Sequence, residues 1–301
     1  MEIRQLSHLL AVIEHGSFSK AAAALGIGQP GLTKSVRRLE QRLGVPLLER
    51  RARGIEPTEY GLIVARHAKL IDVERREAIS EVEAHLGGHV GRVIVGAGPA
   101  WLARVLPEAI ARVHLDRPRL RFSVVTGYPE DLARGLRDGD LDLVVASVTD
   151  APLDGDLTSM PLAADEQVVI VRQGHPLLDR EKVGAEDLLG FPWVMAPTRT
   201  RVRQRLDSSF LQLGLAPPMP VIESDSVLFA LSLLRGSNFL GMATRGALQR
   251  PEGVGLVALE CPEVSFVRRT GVMYRRRGTL PSAALALVDA LSVVCRDEDR
   301  V

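Results

Sequence analysis

The chain has 301 residues, of which 46% are hydrophobic and 25% are charged, a globular composition that is long enough for more than one domain. Its 38 Lys and Arg against 37 Asp and Glu give a net charge of +1, which by itself argues against a polyanion-binding protein. The start, MEIRQL, predicts no secretory signal, and no apolar run approaches the roughly 20 residues that span a bilayer. Cys261 and Cys295 lack metal-binding spacing. We therefore expect a cytoplasmic protein without membrane association, metal or cofactor.

Positive charge is concentrated in one segment. Residues 34–53 contain seven Lys or Arg and two Glu, a net charge of +5 within twenty residues. A phosphate-contacting surface has such a local field, but a solvated helix face can have it too. The neighbouring sequence favours the first interpretation.

Three helices are predicted around this segment. Apolar residues recur at helical spacing over 3–14, and an alanine-rich segment over 19–25 ends at Gly26. A third helix begins near Gly28 or Gln29, has Pro30 in its first turn and runs to residue 43. The short glycine-bearing turn between the second and third helices predicts a helix-turn-helix.

The first turns of the third helix are the part that enters the major groove in this motif. We therefore expect Gln29, Thr33 and Lys34 to reach base edges, whereas Arg37 and Arg38, further along, contact phosphate.

The segment PLLERRARGIEPTEYG predicts a two-stranded wing that begins at Pro46, turns at Gly54 and ends at Pro57. Its tip carries the arginines at 50, 51 and 53, which suit the minor groove or its flanking phosphates.

From Thr58 to about Leu86 the sequence predicts one long helix that stops at Gly87-Gly88. Its intermittent apolar stripe fits either packing on its own domain or dimerisation. His85 and His89 have helical spacing, but the two glycines separate them, so a metal site is rejected.

Two motifs in the following segment resemble ligand sites but fail. In VGAGPAW, Trp101 stands where a dinucleotide site needs its third glycine, and no acidic residue ends the next strand. In DGDLDLV, Leu143 and Thr149 replace the glycine and glutamate of a calcium loop. No arrangement of nucleophile and base is found, and no enzyme is predicted.

Beyond residue 90 strand and helix patterns alternate, which predicts an α/β fold with a mainly parallel sheet. Strand patterns lie at 93–97, 120–125, 141–147, 167–171, 193–196, 240–244 and 267–274; helix patterns lie at 101–113, 129–137, 201–213, 226–235 and 282–295. Ligands of such folds gather at the carboxyl ends of strands, near helix N-termini.

The run SFSKAAAALGIGQPGLTKSVRRLEQRLGVPLLERRARGIEPTEYG resembles the winged helix-turn-helix of LysR-type transcriptional regulators, and the likeness is continuous over residues 1–61. Gly28, Gly31 and Pro57 depart from the family's usual Ser, Ala and Leu. The resemblance implies DNA-binding positions at Phe18, Ser19, Gln29, Pro30, Thr33, Lys34, Arg37, Arg38, Arg50, Arg51 and Arg53.

The resemblance also implies a division of the chain. A winged helix-turn-helix domain would span 1–58, a linker or dimerisation helix 59–88, and an effector-binding domain 89–301 that resembles type 2 periplasmic binding proteins. Its first subdomain would comprise 89–162 and 268–301, its second 163–267, with crossovers near 161–165 and 266–270. The implied partners are double-stranded DNA, a small-molecule co-inducer, further copies in a homodimer or homotetramer, and RNA polymerase.

Residues just after strands are the effector-pocket candidates. They are Gly98, Pro99, Ala100, Trp101, Thr126, Gly127, Tyr128, Ser147, Thr198, Arg199, Thr200, Ser224, Asp225, Ser226 and Met242. Trp101 fits stacking on a ligand ring or ordinary packing between helix and sheet, and Arg199 fits an anionic ligand or solvent. Because the family often has Ser or Thr after the first strand, the sequence GPAW argues against a simple carboxylate effector.

Segments FPWVMAPTRTRVRQRLDSSF and GVMYRRRGTLPSAALALVDAL most resemble the galactose-binding-protein regulator branch, which suggests a sugar or small organic acid. Two alternatives compete with a regulator. A solute-binding protein would leave the basic N-terminus unexplained, and an oxidoreductase using VGAGPAW would lack a complete dinucleotide motif.

Overall fold

The computed structural model describes residues 1–51, 54–85, 91–148, 156–276 and 280–298. Its N-terminal part contains three helices within one residue of the predicted bounds: α1 (Ile3–His15), α2 (Phe18–Leu25) and α3 (Gln29–Leu43). Gly26, with a φ of 65°, ends α2 in the left-handed region and turns the chain into α3. Leu9, Leu32 and Leu39 are fully buried in the core that joins the three helices.

A two-stranded wing follows α3, as predicted. Strands β1 (Leu48–Arg51) and β2 (Gly54–Pro57) pair antiparallel. The Glu40 carboxylate of α3 accepts hydrogen bonds from the backbone N–H groups of Leu47 at 2.8 Å and Leu48 at 3.3 Å. One of the two acidic side chains in the basic segment thus fixes the wing against the helix.

Helix α4 (Glu59–His85) has 27 residues and is about 40 Å long at 1.5 Å per residue. Thr58 caps it by accepting a hydrogen bond from the Gly61 N–H at 3.0 Å. Ala65 and Ala68 are buried, whereas Ile63, Ile79 and Val82 remain exposed. The predicted stop at Gly87-Gly88 and His89 lie outside the described residues.

The rest of the chain begins with β3 (Gly91–Ala97), α5 (Pro99–Leu102), α6 (Val105–Asp116), β4 (Leu120–Thr126), α7 (Pro129–Arg137), β5 (Leu143–Ser147) and β6 (Leu157–Arg172). It continues with α8 (Ala185–Leu188), β7 (Val194–Met195), α9 (Arg201–Gln212), β8 (Ile222–Glu223), α10 (Val227–Arg235), β9 (Gly241–Thr244), β10 (Leu256–Leu259), β11 (Phe266–Arg275) and α11 (Ser282–Glu298).

Seven strands form one mixed sheet in the order β10-β6-β11-β5-β3-β4, with β9 paired to β6. The expectation of a mainly parallel sheet is wrong. Only β3 pairs parallel with its neighbours β4 and β5 in this sheet, and the long strands β6 and β11 pair antiparallel with all of theirs. The predicted crossovers, 161–165 and 266–270, lie within β6 and β11, which run side by side through the sheet.

Separate apolar cores lie toward the two ends of β6. The first lobe, made of β3–β5, α5–α7 and α11, packs around Val95, Leu106 and Leu287. The second lobe, made of α8–α10 and β7–β10, packs around Trp193 and Phe210. All five side chains are at most 1% exposed, so each lobe has its own densely packed interior.

Two local predictions are corrected, and two strands were missed. The predicted helix 101–113 is two helices, α5 and α6, separated at Ala103 and Arg104. The apolar run 167–171 is only the end of β6, whose first ten residues contain Pro161 and lack the apolar alternation that indicates a strand. Strands β8 and β10, of two and four residues, were not predicted.

None of the described helices is both long and apolar enough to cross a membrane.

Candidate DNA-binding surface and effector cleft

The exposed face of α3 forms an open groove of about 590 Å³. It is lined by Gln29, Pro30, Thr33, Lys34, Arg37, Arg38 and Gln41. The opposite face of the same helix buries Leu32, Val36 and Leu39 in the core. Six of the predicted DNA-binding residues are thus brought together, because the helical period separates the polar face from the apolar one.

The helix before the turn contributes to the same surface. The Ser19 hydroxyl donates a hydrogen bond to Gln29 Oε1 at 3.0 Å. This bond orients the Gln29 amide at the start of α3 and leaves its NH₂ group as a donor. Phe18 packs against the helical core instead, so its part in this surface is to hold α2 in place.

The wing places Arg50 and Arg51 on β1, and Arg53 lies outside the described residues. The Arg51 guanidinium bonds to Glu49 Oε1 through Nε at 3.0 Å and Nη2 at 2.7 Å. Since Glu49 neutralises part of the positive field of the wing, its charge should oppose phosphate binding.

We predict that Glu49→Gln strengthens DNA binding by roughly threefold and steepens its salt dependence, because Arg51 is then free to pair with phosphate. Fluorescence anisotropy of a labelled duplex at several salt concentrations measures both quantities. Glu14→Gln removes the same charge from the exposed face of α1 and is the matched control. Equal gains for the two variants would refute a specific role for Glu49.

Several predicted effector-binding residues have structural roles. Trp101 is 5% exposed and packs in the core of the first lobe, which favours ordinary packing over stacking on a ligand ring. Thr200 is 1% exposed and caps α9, accepting from Arg203 N and donating to the Pro197 carbonyl at 2.8 Å. Gly98 is buried and donates its N–H to the Val145 carbonyl at 2.8 Å.

Other predicted effector-binding residues lie at strand ends or helix starts of the two lobes. Ser147 Oγ donates to the Arg269 carbonyl at 3.4 Å, and Thr126 is exposed at the end of β4. Pro99 and Ala100 begin α5, and the Ala100 carbonyl accepts a hydrogen bond from Arg250 Nη1 at 3.1 Å. Thr198 is exposed in the second lobe, just before α9.

Charged and aromatic contacts join the two lobes across a cleft. Arg199 lies 3.5 Å from Asp131 and 5.7 Å from the Tyr128 ring centroid, and Arg201 lies 3.2 Å from Glu130. The Tyr128 hydroxyl donates to the Asp225 carbonyl at 3.4 Å. Burial, followed by the charge of Asp225, raises the pKa of Tyr128, so its hydroxyl remains protonated at neutral pH.

Next to this cleft lies a cavity of about 50 Å³. Tyr128, Ser224, Ser226 and Met242, all predicted from strand ends, line it. Arg203 also lines it and was not predicted, because it stands among other arginines in a segment typical of a solvated helix face. Its spacing of four residues from Asp207 is the sequence signal that could have indicated a held arginine.

The calcium-like run uses its carboxylates for structure. Asp140 forms an ion pair with Lys69 of α4 at 2.6 Å, and Asp142 accepts a hydrogen bond from the Ile94 N–H at 2.8 Å. Within the described ranges no cluster of three His, Cys, Asp or Glu side chains could hold a metal. Burial raises the pKa of the Cys261 thiol to about 11, which makes it a poor nucleophile.

Comparison with known proteins agrees with this arrangement. Residues 3–62 match the family described as bacterial regulatory helix-turn-helix protein, lysR family, and residues 86–296 match the LysR substrate binding domain. The SDS degradation transcriptional activation protein of a Pseudomonas species is 33% identical, covering 99% of this chain and 96% of that protein. The HTH-type transcriptional regulator GbpR of Azospirillum brasilense is 30% identical, covering 90% and 79% respectively.

The fold is shared with full-length CbnR in complex with its target DNA, with a TM-score of 0.67 at 20% identity, covering 98% of this chain and all of the other. Both family models and full-length relatives are regulators of transcription rather than enzymes. The chain belongs to the LysR family of DNA-binding transcriptional regulators, with an N-terminal helix-turn-helix domain and a C-terminal substrate-binding domain.

Proposed function

We propose that this regulator reads its operator through the α3 groove and holds the flanking phosphates with the wing. The groove, with its polar N-terminal turn and basic middle, is the observation that carries the proposal. Gln29, Thr33 and Lys34 would contact bases, whereas Arg37, Arg38 and the wing arginines would bind the backbone. We place the DNA-binding domain at 1–58, the linker helix at 59–88 and the effector domain at 89–301.

Replacing Gln29 tests whether α3 recognises the base sequence of the operator through this residue. Gln29→Ala is expected to lower the preference for a selected operator over scrambled DNA by about tenfold, because a bidentate base contact contributes roughly 1–3 kcal/mol of discrimination. Competition footprinting with both duplexes measures the ratio. Gln212→Ala, at the end of α9, is the control. An unchanged ratio for Gln29→Ala would show that α3 does not read the sequence through this residue.

We further propose a homodimer or homotetramer assembled through α4. Ile63, Ile79 and Val82 are exposed by 47%, 47% and 60%, and a second copy would cover these apolar side chains. A two-fold-symmetric assembly would bind two DNA half-sites that are related by two-fold symmetry. The complex would form in the cytoplasm, and RNA polymerase would be a further partner. A monomer in sedimentation equilibrium at micromolar concentration would contradict this assembly.

We propose finally that a sugar or small organic acid binds between the lobes, near Tyr128, Arg199, Asp225 and Met242. Such a ligand would act through its different affinity for the open and closed cleft. Because a ligand that binds only the folded protein raises its Tm, thermal shifts with sugars and organic acids test this site. The absence of a shift with every member of both classes would contradict it.

A further inference from the structure

We propose that the cavity beside Arg203 binds a carboxylate, and that the effector is therefore a small organic acid rather than a neutral sugar. This inference rests on the proposed effector function and narrows its ligand class. It replaces the expectation that GPAW disfavours a carboxylate, since the positive group comes from the second lobe and not from the loop after β3.

Arg203 provides a fixed positive charge at this cavity. Its side chain is 9% exposed, and Nε contacts both carboxylate oxygens of Asp207, at 2.8 and 3.0 Å. Asp207 thus holds one edge of the guanidinium. Nη1 is buried and has no hydrogen-bond partner among the residues that the structure describes. A buried donor without a partner is costly, and an oxyanion in the cavity beside it would supply the acceptor.

Two helices begin at the same cavity. Val202 and Arg203 belong to the first turn of α9, and Ser226 and Val227 belong to the start of α10; all four line it. These helices have 12 and 9 residues, and each directs the positive end of its dipole toward the cavity. The Thr200 and Ser226 side chains already accept the N–H groups of Arg203 and Phe229. The convergence of two helix starts and a buried guanidinium favours an anion over a neutral hydroxyl group.

The size and the remaining lining indicate a small carboxylate. A volume of about 50 Å³ holds about four water-sized groups, since one water needs roughly 10–15 Å³ measured in this way. Acetate has four heavy atoms. Side chains of Ile170, Val194, Leu231 and Met242 line the cavity and would pack against its methyl group, so a larger acid would place its head here and its body in the cleft.

Acidic residues near the cavity are Glu130, Asp131, Glu223 and Asp225. Asp131 lies 3.5 Å from Arg199 and Glu130 lies 3.2 Å from Arg201, although neither Glu130 oxygen has a hydrogen-bond partner among the described residues. Asp225 is exposed, and its backbone carbonyl, not its carboxylate, accepts the Tyr128 hydroxyl. Protonated Tyr128 adds no negative charge to the lining.

Acetate and acetamide separate charge from shape, because both have four heavy atoms. We expect sodium acetate to raise the Tm of the full chain in a saturable way, by roughly 3 °C at a tenfold excess over Kd, with ionic strength held constant by sodium chloride. Acetamide should give no shift. Equal Tm shifts with acetate and acetamide, or no Tm shift with acetate, would overturn the proposal. This comparison needs only the wild-type protein.

Variants then locate the site. Arg203→Gln combined with Asp207→Asn, which leaves no buried carboxylate without a partner, should abolish the acetate shift. Arg205→Gln, an exposed arginine of the same helix that does not line the cavity, should retain it. A retained shift in the double variant would place the acetate elsewhere and refute the role of Arg203. DNA binding is measured in parallel without acetate, so a failure of the regulator assignment is distinguished from a failure of this inference.

Discussion

Gly61→Ala is expected to destabilise the DNA-binding domain by about 2 kcal/mol. A Cβ at this position would lie 2.0 Å from the Leu47 carbonyl oxygen and 3.2 Å from the Pro57 Cβ. Overpacking of this kind costs up to about 3 kcal/mol, whereas alanine in a helix gains about 1 kcal/mol over glycine. The clash outweighs the gain because backbone, not a flexible side chain, meets the new methyl group.

The cost extends to the wing. The same Leu47 carbonyl accepts a hydrogen bond from the Thr58 N–H at 2.9 Å, and Thr58 caps α4. Moving α4 away from Leu47 therefore weakens the cap and shifts the wing relative to α3. Weaker DNA binding should accompany the lower Tm.

Gly31→Ala is the matched control. Gly31 lies in the first turn of α3 with nothing within 4 Å of a Cβ, so alanine should stabilise by about 0.5 kcal/mol. Thermal unfolding followed by circular dichroism compares the two variants. A stability change of the same sign for both would show that the close packing of α4 on Leu47 is not what sets the requirement for glycine at position 61.

Replacing Lys34 and Arg37 together is expected to have the largest effect on DNA binding. Both side chains are exposed and line the α3 groove. The double variant Lys34→Ala with Arg37→Ala should weaken binding by about 100-fold or more, equivalent to roughly 3 kcal/mol. The slope of log K against log salt should fall by about 0.9 for each phosphate contact that is lost.

Arg42→Ala with Arg66→Ala removes the same charge from positions outside the groove. If binding depended only on the net charge of the domain, both double variants would lose the same affinity and the same salt dependence. We expect the control to lose less than about tenfold, as a long-range effect that salt screens. Anisotropy titrations of one duplex from low to physiological salt distinguish an effect of net charge from an effect of the groove residues.

The sequence was most informative where local signals agree. Helices α1–α3 combine apolar spacing with a glycine directly after each helix, and their bounds were predicted to within one residue. The binary pattern that buries Leu32 and Val36 also fixes which face of α3 carries Gln29 and Arg37. Prediction of which residues share the exposed face of α3 therefore needed only the helical period and the motif.

The effector domain depends on long-range pairing, which local patterns do not contain. The first part of β6, which contains Pro161, is held as a strand by β11, more than 100 residues later in the chain. Trp101 fitted either packing or stacking, and only the fold assigned it to the core. Arg203 could not be separated from its exposed neighbours, since its burial depends on Asp207 and on where α9 meets the sheet.

Selection from a random duplex library with the purified full chain tests whether this regulator reads a specific operator through α3. We expect enrichment of a sequence with two half-sites related by two-fold symmetry, and loss of that enrichment in the Lys34→Ala, Arg37→Ala double variant. A folded wild-type protein that enriches no sequence over the input, or a double variant that enriches the same sequence equally well, would contradict it.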